Sequence, residues 1–305
     1  MGLPSVVGFA SPGGARGESL ATMRAMKIAA VQMVSTPDWP SNRRSAERLI
    51  AQAAQSGATL VALPEYFCIM GQRDTDKLAL AEAPWGGGGG PIQQFLSDAA
   101  RQHGIWLVGG TLPVRTGVAG QVLNRCCVFG PSGDLAAHYD KIHLFAYDNG
   151  REAYDEGRTL QAGSTPVAVD MPMAGGTLRT GLSICYDLRF PELYRALMGQ
   201  PGQAGQAPCD VLCVPAAFTH TTGQAHWELL LRARAVENQC VVLAAAQGGL
   251  HPNGRRTWGH SMVVGPWGEV LAVCDEGEGL AVAELDPAHI AQVRLQLPAL
   301  AHRRL

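Results

Sequence analysis

The stretch Thr177-Leu-Arg-Thr-Gly-Leu-Ser-Ile-Cys-Tyr-Asp-Leu-Arg-Phe-Pro-Glu-Leu-Tyr194 changes character at Cys185. Up to Ile184 it is a strand-length, largely apolar run. Beyond Cys185, polar residues and Pro191 lead into a helix predicted over 190–198. The same succession recurs along the chain: predicted strands at 27–34, 59–63, 105–109, 210–214 and 240–246 alternate with predicted helices at 41–55, 91–102 and 224–238. Hairpin-like pairs interrupt it. One is 122–129 and 135–139 around the turn Gly130-Pro-Ser-Gly133; others are formed by 258–264, 269–274 and 279–285, separated by Gly-Pro or Gly-Glu turns. Asp286-Pro287 then opens a last helix. Strands alternating with helices specify an α/β fold, and the hairpins make its strand directions mixed. No linker divides residues 26–305, which read as one domain. Residues 1–25, with Pro4, Pro12 and a Gly-rich stretch, read as a flexible extension in which Met23 or Met26 competes with Met1 as the translation start.

At 305 residues, 47% hydrophobic and 16% charged, the chain can bury a large core without disulfide or metal staples. That composition excludes a disordered chain or a coiled coil. The net charge is −2, and no long basic or acidic block occurs, so neither nucleic acid nor an anionic membrane is an expected partner. No apolar run approaches the roughly 18 residues of a membrane span. The eight cysteines show no scaffold spacing, which fits free thiols in a reducing cytoplasm. Cys209 and Cys213 fall in a strand-like run with no opposing metal half-site, and read as buried structural cysteines. The five glycines 86–90 follow no strand and precede no Lys-Ser/Thr, so they do not form a phosphate cradle.

Chemistry-bearing residues concentrate where strands stop. Glu65 follows Leu63-Pro64, Lys141 follows Tyr139-Asp140, and Cys185 sits at the strand-to-helix junction already quoted. Ligands of α/β sheets bind beyond the carboxyl ends of strands, where these three can meet. A helix start behind Cys185 would favour a thiolate and offer backbone N–H groups to an oxyanion. Lysine is scarce, with Lys27, Lys77 and Lys141 its only occurrences. Taken singly, each residue also has a bland reading: a buried small cysteine, a helix-start carboxylate, a solvated cation.

Three strings remove that ambiguity. Leu63-Pro-Glu-Tyr-Phe67, Tyr139-Asp-Lys-Ile-His-Leu-Phe145 and Ser183-Ile-Cys-Tyr-Asp-Leu-Arg-Phe-Pro-Glu-Leu-Tyr194 resemble, in order, the three signatures of the nitrilase superfamily of carbon–nitrogen hydrolases. The resemblance implies a four-layer αββα sandwich with mixed sheets and a homodimer or larger homo-oligomer. It implies a catalytic triad of Glu65, Lys141 and Cys185, needing neither cofactor nor metal. A second carboxylate falls on Glu156, with Glu152 as the rival assignment.

In the chemistry so implied, Cys185 forms a thioester with the acyl part of a small amide substrate. Glu65 acts as base and then acid, releasing ammonia, while Lys141 and the Tyr186 backbone N–H hold the oxyanion. Glu156 positions Lys141 or the amide nitrogen. Two further strings, His226 to Cys240 and Ala244 to Gly248 with Trp258-Gly-His-Ser-Met-Val263, look most like the deaminated-glutathione amidase branch, with the ω-amidase branch next. Nitrile or N-carbamoyl hydrolysis, and an inactive scaffold, are the further alternatives. Both amidase branches act on amides that bear a carboxylate, which asks for a cation in the pocket. Arg189 is the candidate, against a purely structural ion pair with Asp187 or Glu192. His143 and His226 read as hydrogen-bonded supports rather than bases, and a papain-like Cys–His site has no other supporting string.

Overall fold

A computed structural model describes residues 20, 22–86, 89–150, 153–199 and 207–304. The proposed extension over 1–25 falls mostly outside these, although Leu20 and Met23 are buried. In chain order the strands are β1 Met26–Gln32, β2 Ala58–Ala62, β3 Trp106–Val108, β4 Leu112–Arg115, β5 Val122–Phe129 and β6 Leu135–Asp140. They continue with β7 Ala146–Asp148, β8 Ala153–Asp155, β9 Val167–Met173, β10 Gly176–Leu182, β11 Val211–Cys213 and β12 Val241–Ala244. The last are β13 Gly248–Leu250, β14 Arg256–Trp258, β15 Met262–Val264, β16 Val270–Val273 and β17 Gly279–Leu285. The helices are α1 Trp39–Gln55, α2 Asp76–Ala79, α3 Pro91–His103, α4 Pro191–Leu197, α5 His220–Asn238 and α6 Pro287–Gln296.

Two mixed sheets carry the architecture. The first runs β17-β1-β2-β3-β5-β4, with β6 also paired to β5; the second runs β16-β15-β12-β11-β10-β9. At the centre of each lie three parallel strands, β1-β2-β3 and β10-β11-β12. Parallel strands covered on both faces need continuous apolar runs, and Ile28–Val31, Val211–Val214 and Val241–Ala246 supply them. Alternation along a strand then assigns the layers. Ala29, Val31 and Val61 face α1 and α3, meeting Leu49, Ile50 and Leu96. Ile28, Ala30, Leu60 and Val128 face the second sheet, in one core with Met171, Leu212 and Val242. That core continues through the second sheet to Leu193 and Tyr194 of α4 and to Trp227 and Leu231 of α5. The result is the four-layer αββα sandwich with mixed sheets.

Several boundaries moved for identifiable reasons. α1 begins at Trp39 rather than Ser41, because Asp38 is the cap and accepts from the Ser41 N–H at 2.9 Å. The expected strand 258–264 is two strands. Gly259 and His260 both take positive φ, 71° and 55°, which turns Trp258 toward Gly248 and leaves Met262–Val264 to pair with β12. β9 carries Pro172, which an edge strand tolerates. Among the described residues no helix is long and apolar enough to cross a membrane.

The ends of the parallel strands from both sheets meet at one end of the sandwich. Met33, just past β1, bridges Gln247, just past β12, and Ala216 bridges Ala246. The loops after β2 and β10 open onto the same place. Gly110 is required there: it has φ 57°, and a Cβ on it would lie 2.2 Å from the Pro64 carbonyl oxygen, directly beneath Glu65.

Candidate active site

Glu65, Lys141, Cys185 and Glu156 come together at this end of the sandwich. Glu65 and Lys141 are each 1% exposed, Cys185 7% and Glu156 9%. Lys141 Nζ lies 2.8 Å from Glu65 Oε1 and 2.7 and 3.0 Å from the two oxygens of Glu156. Glu65 Oε1 also accepts from Asn124 Nδ2 at 2.9 Å, and Gln247 Nε2 donates to the Glu65 carbonyl at 3.1 Å. Glu156 accepts from the Tyr66 hydroxyl and from the Phe145 N–H, both at 2.7 Å. Its place is made by a short 3₁₀ turn, Glu156–Arg158, capped by Asp155. Glu152 lies outside the described residues.

Cys185 occupies an elbow. It sits at φ 49° where β10 passes into a second 3₁₀ turn, Cys185–Arg189, and its N–H donates to Pro215 O at 2.9 Å. Tyr66, next to Glu65, is also left-handed at φ 56°. Non-glycine residues in this region carry of order 1–3 kcal/mol of strain each and persist only where neighbours over-determine them. For Cys185 the neighbour is Asp187, which is fully buried. One of its oxygens accepts from the Ile184 N–H at 2.8 Å and the Tyr139 hydroxyl at 2.7 Å. The other accepts from the His143 N–H at 3.0 Å and lies 2.7 Å from His143 Nδ1. Tyr139 and His143 flank Lys141, so one carboxylate ties the cysteine elbow to the lysine loop. The N–H of Tyr186, second in its turn, meets no backbone acceptor among the described residues.

The electrostatics fix the resting proton positions. Burial alone would lower the Lys141 pKa, but Glu156 and Glu65 together outweigh it and hold the ammonium well above the usual lysine range. Burial opposes ionisation of Glu156; Lys141, the Phe145 N–H and the Tyr66 hydroxyl overcome it and lower its pKa. The Cys185 thiol is pushed well up, first by burial and then by the Glu65 charge, with Lys141 and the Ala217 N–H opposing. This corrects the thiolate expected from a helix start. A single 3₁₀ turn has little dipole, and the nearest carboxylate outweighs it.

Aromatic side chains pack around the cysteine elbow and the lysine loop. Phe145 packs between Tyr154 and Tyr186, and Tyr186 packs on Phe190, which stacks on His143 at 3.7 Å. Arg189 lies over the rings of Phe218 and Tyr186, at 5.4 and 5.9 Å, with Nη1 3.3 Å from His226 Nδ1. The alternative ion pair with Asp187 or Glu192 is not formed: Asp187 is engaged as described, and among the described residues Arg189 has no carboxylate partner. The His143 N–H donates to Asp187 with Nδ1 2.7 Å from the same oxygen, and His226 Nδ1 lies 3.3 Å from Arg189 Nη1. The charges that weigh most on Cys185 are those of Glu65, Lys141 and Glu156. Among the described residues no group of His, Cys, Asp or Glu is arranged to hold a metal ion.

Sequence reasoning passed over Asn124, Asp187, Tyr66 and Gln247 as parts of this site. Asn124 carried a usable signal, a polar residue inside a strand-length apolar run, and Asp187 lay within the quoted cysteine string.

Comparison with known proteins agrees with this geometry. Residues 27–295 match the carbon–nitrogen hydrolase family model. The chain is 42% identical to the deaminated glutathione amidase of Synechocystis sp. over 92% of its length and 99% of the relative's. It is 38% identical to the chloroplastic omega-amidase of Arabidopsis thaliana, over 91% of this chain and 72% of that one. Among solved structures, Saccharomyces cerevisiae Nit3, a member of branch 10 of the nitrilase superfamily, superposes with TM-score 0.79 at 32% identity, covering 93% of this chain and 98% of that one. A mutant amidase from Nesterenkonia sp. AN1, carrying acrylamide added at its active-site cysteine, superposes with TM-score 0.69 at 28% identity over 90% of this chain and 98% of that one. With the fold, the family model and relatives above 30% identity in agreement, the chain belongs to the carbon–nitrogen hydrolase family, within the nitrilase superfamily.

Proposed function

We propose that the protein is a thiol-dependent amidase that hydrolyses a small carboxylate-bearing amide through a thioester on Cys185. The observation that carries this reading is the buried Lys141 ammonium, held between Glu65 and Glu156 beside a cysteine in a left-handed elbow. Glu65 takes the thiol proton as Sγ attacks the carbonyl carbon, since Cys185 rests as a thiol and needs a base. The oxyanion is held by Lys141 and the free Tyr186 N–H; one such donor contributes about 3–4 kcal/mol. Collapse breaks the C–N bond, Glu65 returns its proton to the departing nitrogen, and a thioester remains. Water, deprotonated by Glu65, then attacks the thioester, and the acid leaves as the thiol re-forms. Glu156 touches no reacting atom in this scheme and positions Lys141.

Arg189 is the candidate for the acyl carboxylate. It lies against Tyr186, next to the nucleophile, with no carboxylate partner of its own among the described residues. Deaminated glutathione is the first substrate reading, from the 42% identical relative; an α-ketoglutaramate-type amide is the second, from the omega-amidase relative. A homodimer or larger homo-oligomer is supported by exposed Leu229 and Val236 of α5, with Trp267 and the edge strand β16 nearby. A reducing, cytoplasmic setting is supported by eight free cysteines, seven of them buried.

The test is product release across a panel of deaminated glutathione, α-ketoglutaramate, succinamate, N-carbamoyl acids and simple nitriles, with intact-mass detection of a thioester on Cys185. Turnover of carboxylate-bearing amides with an acyl adduct on Cys185 is expected. Turnover of nitriles alone would replace the reading with a nitrilase.

A further inference from the structure

Base and lysine hang from one strand. Asn124 lies inside β5; its carbonyl accepts from the Lys141 N–H at 3.1 Å, and its Nδ2 donates to Glu65 Oε1 at 2.9 Å. Its backbone therefore holds the lysine, and its side chain holds the carboxylate that the lysine meets at 2.8 Å. The register of this arrangement is pinned next door. Arg125 and Asp140, direct partners across β5 and β6, form a two-bond ion pair at 2.7 and 2.8 Å. Alternation along both strands turns Asn124 and Lys141 away from that pair. They lie on the face where Cys126, Val128 and Tyr139 enter the core between the sheets.

An amide is out of place in that core. Asn124 is 2% exposed, on a face whose next two positions, Cys126 and Val128, are fully buried and apolar. Burying an amide there is unfavourable unless it is hydrogen-bonded, and a leucine would fill the same space. Among the described residues, the one hydrogen bond of the Asn124 side chain goes to Glu65. The main chain around Glu65 is held by other groups. Gln247 Nε2 donates to the Glu65 carbonyl at 3.1 Å, and Thr111 Oγ1 accepts from the Tyr66 N–H at 2.8 Å. What Asn124 fixes is the carboxylate head alone.

That head must choose an oxygen for the proton it carries. Oε1 receives Lys141 Nζ and Asn124 Nδ2, and neither nitrogen can accept: an ammonium and an amide NH₂ only donate. A proton on Oε1 would face both. When Cys185 is deprotonated, the S–H bond breaks and the new O–H bond forms on Oε2. The same oxygen then hands that proton to the departing nitrogen. Lys141 alone does not enforce this choice. Its ammonium already spans both oxygens of Glu156, at 2.7 and 3.0 Å, and could span those of Glu65 in the same way.

We propose that Asn124 is the positioning residue of the base: it fixes which oxygen of Glu65 carries the catalytic proton and keeps Lys141 from bridging both. It acts through Glu65 rather than on the reacting atoms. The assignment rests on the amidase reading above and deepens it. A hydrogen bond to a charged group that serves the transition state changes the rate by about 10- to 150-fold.

The test uses the full-length enzyme and whichever of deaminated glutathione, α-ketoglutaramate and succinamate the wild type turns over fastest. Asn124→Leu removes the donor at nearly constant volume. Asn124→Asp keeps the shape but turns an acceptor toward Oε1, and Asn124→Gln keeps the amide. In Asn124→Leu, kcat should fall about 10- to 150-fold while KM changes by less than about 3-fold. Asn124→Asp should fall further, and Asn124→Gln should retain more than either. Alkylation of Cys185 by iodoacetamide should stay within about 3-fold of the wild-type rate in Asn124→Leu, because the elbow and its neighbouring charges are kept. Cooperative thermal unfolding identifies the folded variants. Should Asn124→Leu fail to fold, Asn124→Ala, which leaves the backbone bond to Lys141 in place, carries the same prediction. A wild-type kcat in either variant overturns the proposal. So does Asn124→Asp ranking above Asn124→Leu, or alkylation falling in step with kcat; either makes Asn124 a support of the fold. No turnover of any amide by the wild type, and no adduct on Cys185, removes the amidase reading and this role together.

Discussion

Lys141 Nζ holds both carboxylate oxygens of Glu156, at 2.7 and 3.0 Å, but only one of Glu65, at 2.8 Å. The asymmetry separates the two acids. Glu156 has its remaining capacity taken by the Tyr66 hydroxyl and the Phe145 N–H, which fixes it as an anchor. Glu65 is tied through Oε1, to Lys141 and Asn124, with no donor on its second oxygen among the described residues. That second oxygen is free to exchange a proton with Cys185 and with the substrate nitrogen.

The nucleophile assignment is the simplest to test. Cys185→Ala should retain the fold, since the side chain lost is small, and should reduce amide turnover by about 10⁴-fold or more. The wild type with a slow amide should gain the mass of the acyl group on Cys185. Measurable wild-type turnover in Cys185→Ala would remove the whole scheme.

Lys141→Arg preserves charge but not shape. The ammonium sits in a pocket 1% exposed with three carboxylate contacts within 3.0 Å, and a planar guanidinium cannot occupy it without separating Glu65 from Glu156. The expected loss is about 10²–10³-fold in kcat, with a smaller change in KM. Steady-state kinetics decide it, and near-normal kcat would mean that the oxyanion is held elsewhere.

Asp187→Asn addresses the elbow. Asp187 accepts three hydrogen bonds and faces His143 Nδ1, so an amide NH₂ in its place points a donor at a donor. Thermal unfolding should show a loss of about 1–3 kcal/mol, and kcat should fall while Lys141 and Glu65 remain intact in sequence. Unchanged stability and turnover would mean that Cys185 keeps its φ of 49° without this anchor.

What could be read from sequence, and what could not, follows from the range of each interaction. Strands such as Val122–Phe129 and Gly279–Leu285 coincide with expectation because their apolar runs and flanking turns are local. β9 escaped notice because Pro172 argues against a strand unless the strand is known to be an edge. Glu65, Lys141 and Cys185 were legible as a set because each lies in a distinctive string at a strand end. The acidity of Cys185 was not, since it depends on burial and on Glu65, 120 positions away in the chain.

Arg189→Gln separates acyl recognition from structure. Without a carboxylate partner of its own among the described residues, Arg189 can receive the substrate's, in a contact worth roughly 1.5–3 kcal/mol. Acidic amides should lose about 10- to 150-fold in kcat/KM and neutral amides much less. An equal loss on both classes would make Arg189 a support for Tyr186 and Phe218, with the acyl carboxylate bound by another group.

The raised thiol pKa of Cys185 makes a prediction that opposes the usual expectation for a catalytic cysteine. Its pKa stands well above the ordinary thiol value, through burial first and the Glu65 charge second, so at neutral pH the free enzyme holds a thiol rather than a thiolate. Alkylation of Cys185 by iodoacetamide, followed by mass spectrometry, should therefore keep accelerating as the pH rises from 6 to 9, with no thiolate plateau near neutrality. Glu65→Gln removes the second cause of the upward shift and leaves Lys141, which favours the thiolate, less compensated. In that variant the pKa falls, so at any fixed pH in this range Cys185 should alkylate faster than in the wild type. Amide turnover should nevertheless be lost, because no base remains to take the proton and no acid to return it to the leaving nitrogen. The two readouts move in opposite directions only if Glu65 acts as a proton carrier rather than as a source of thiolate. A wild-type plateau below pH 7, or parallel loss of alkylation and turnover in Glu65→Gln, would show that the thiolate is already formed in the resting enzyme.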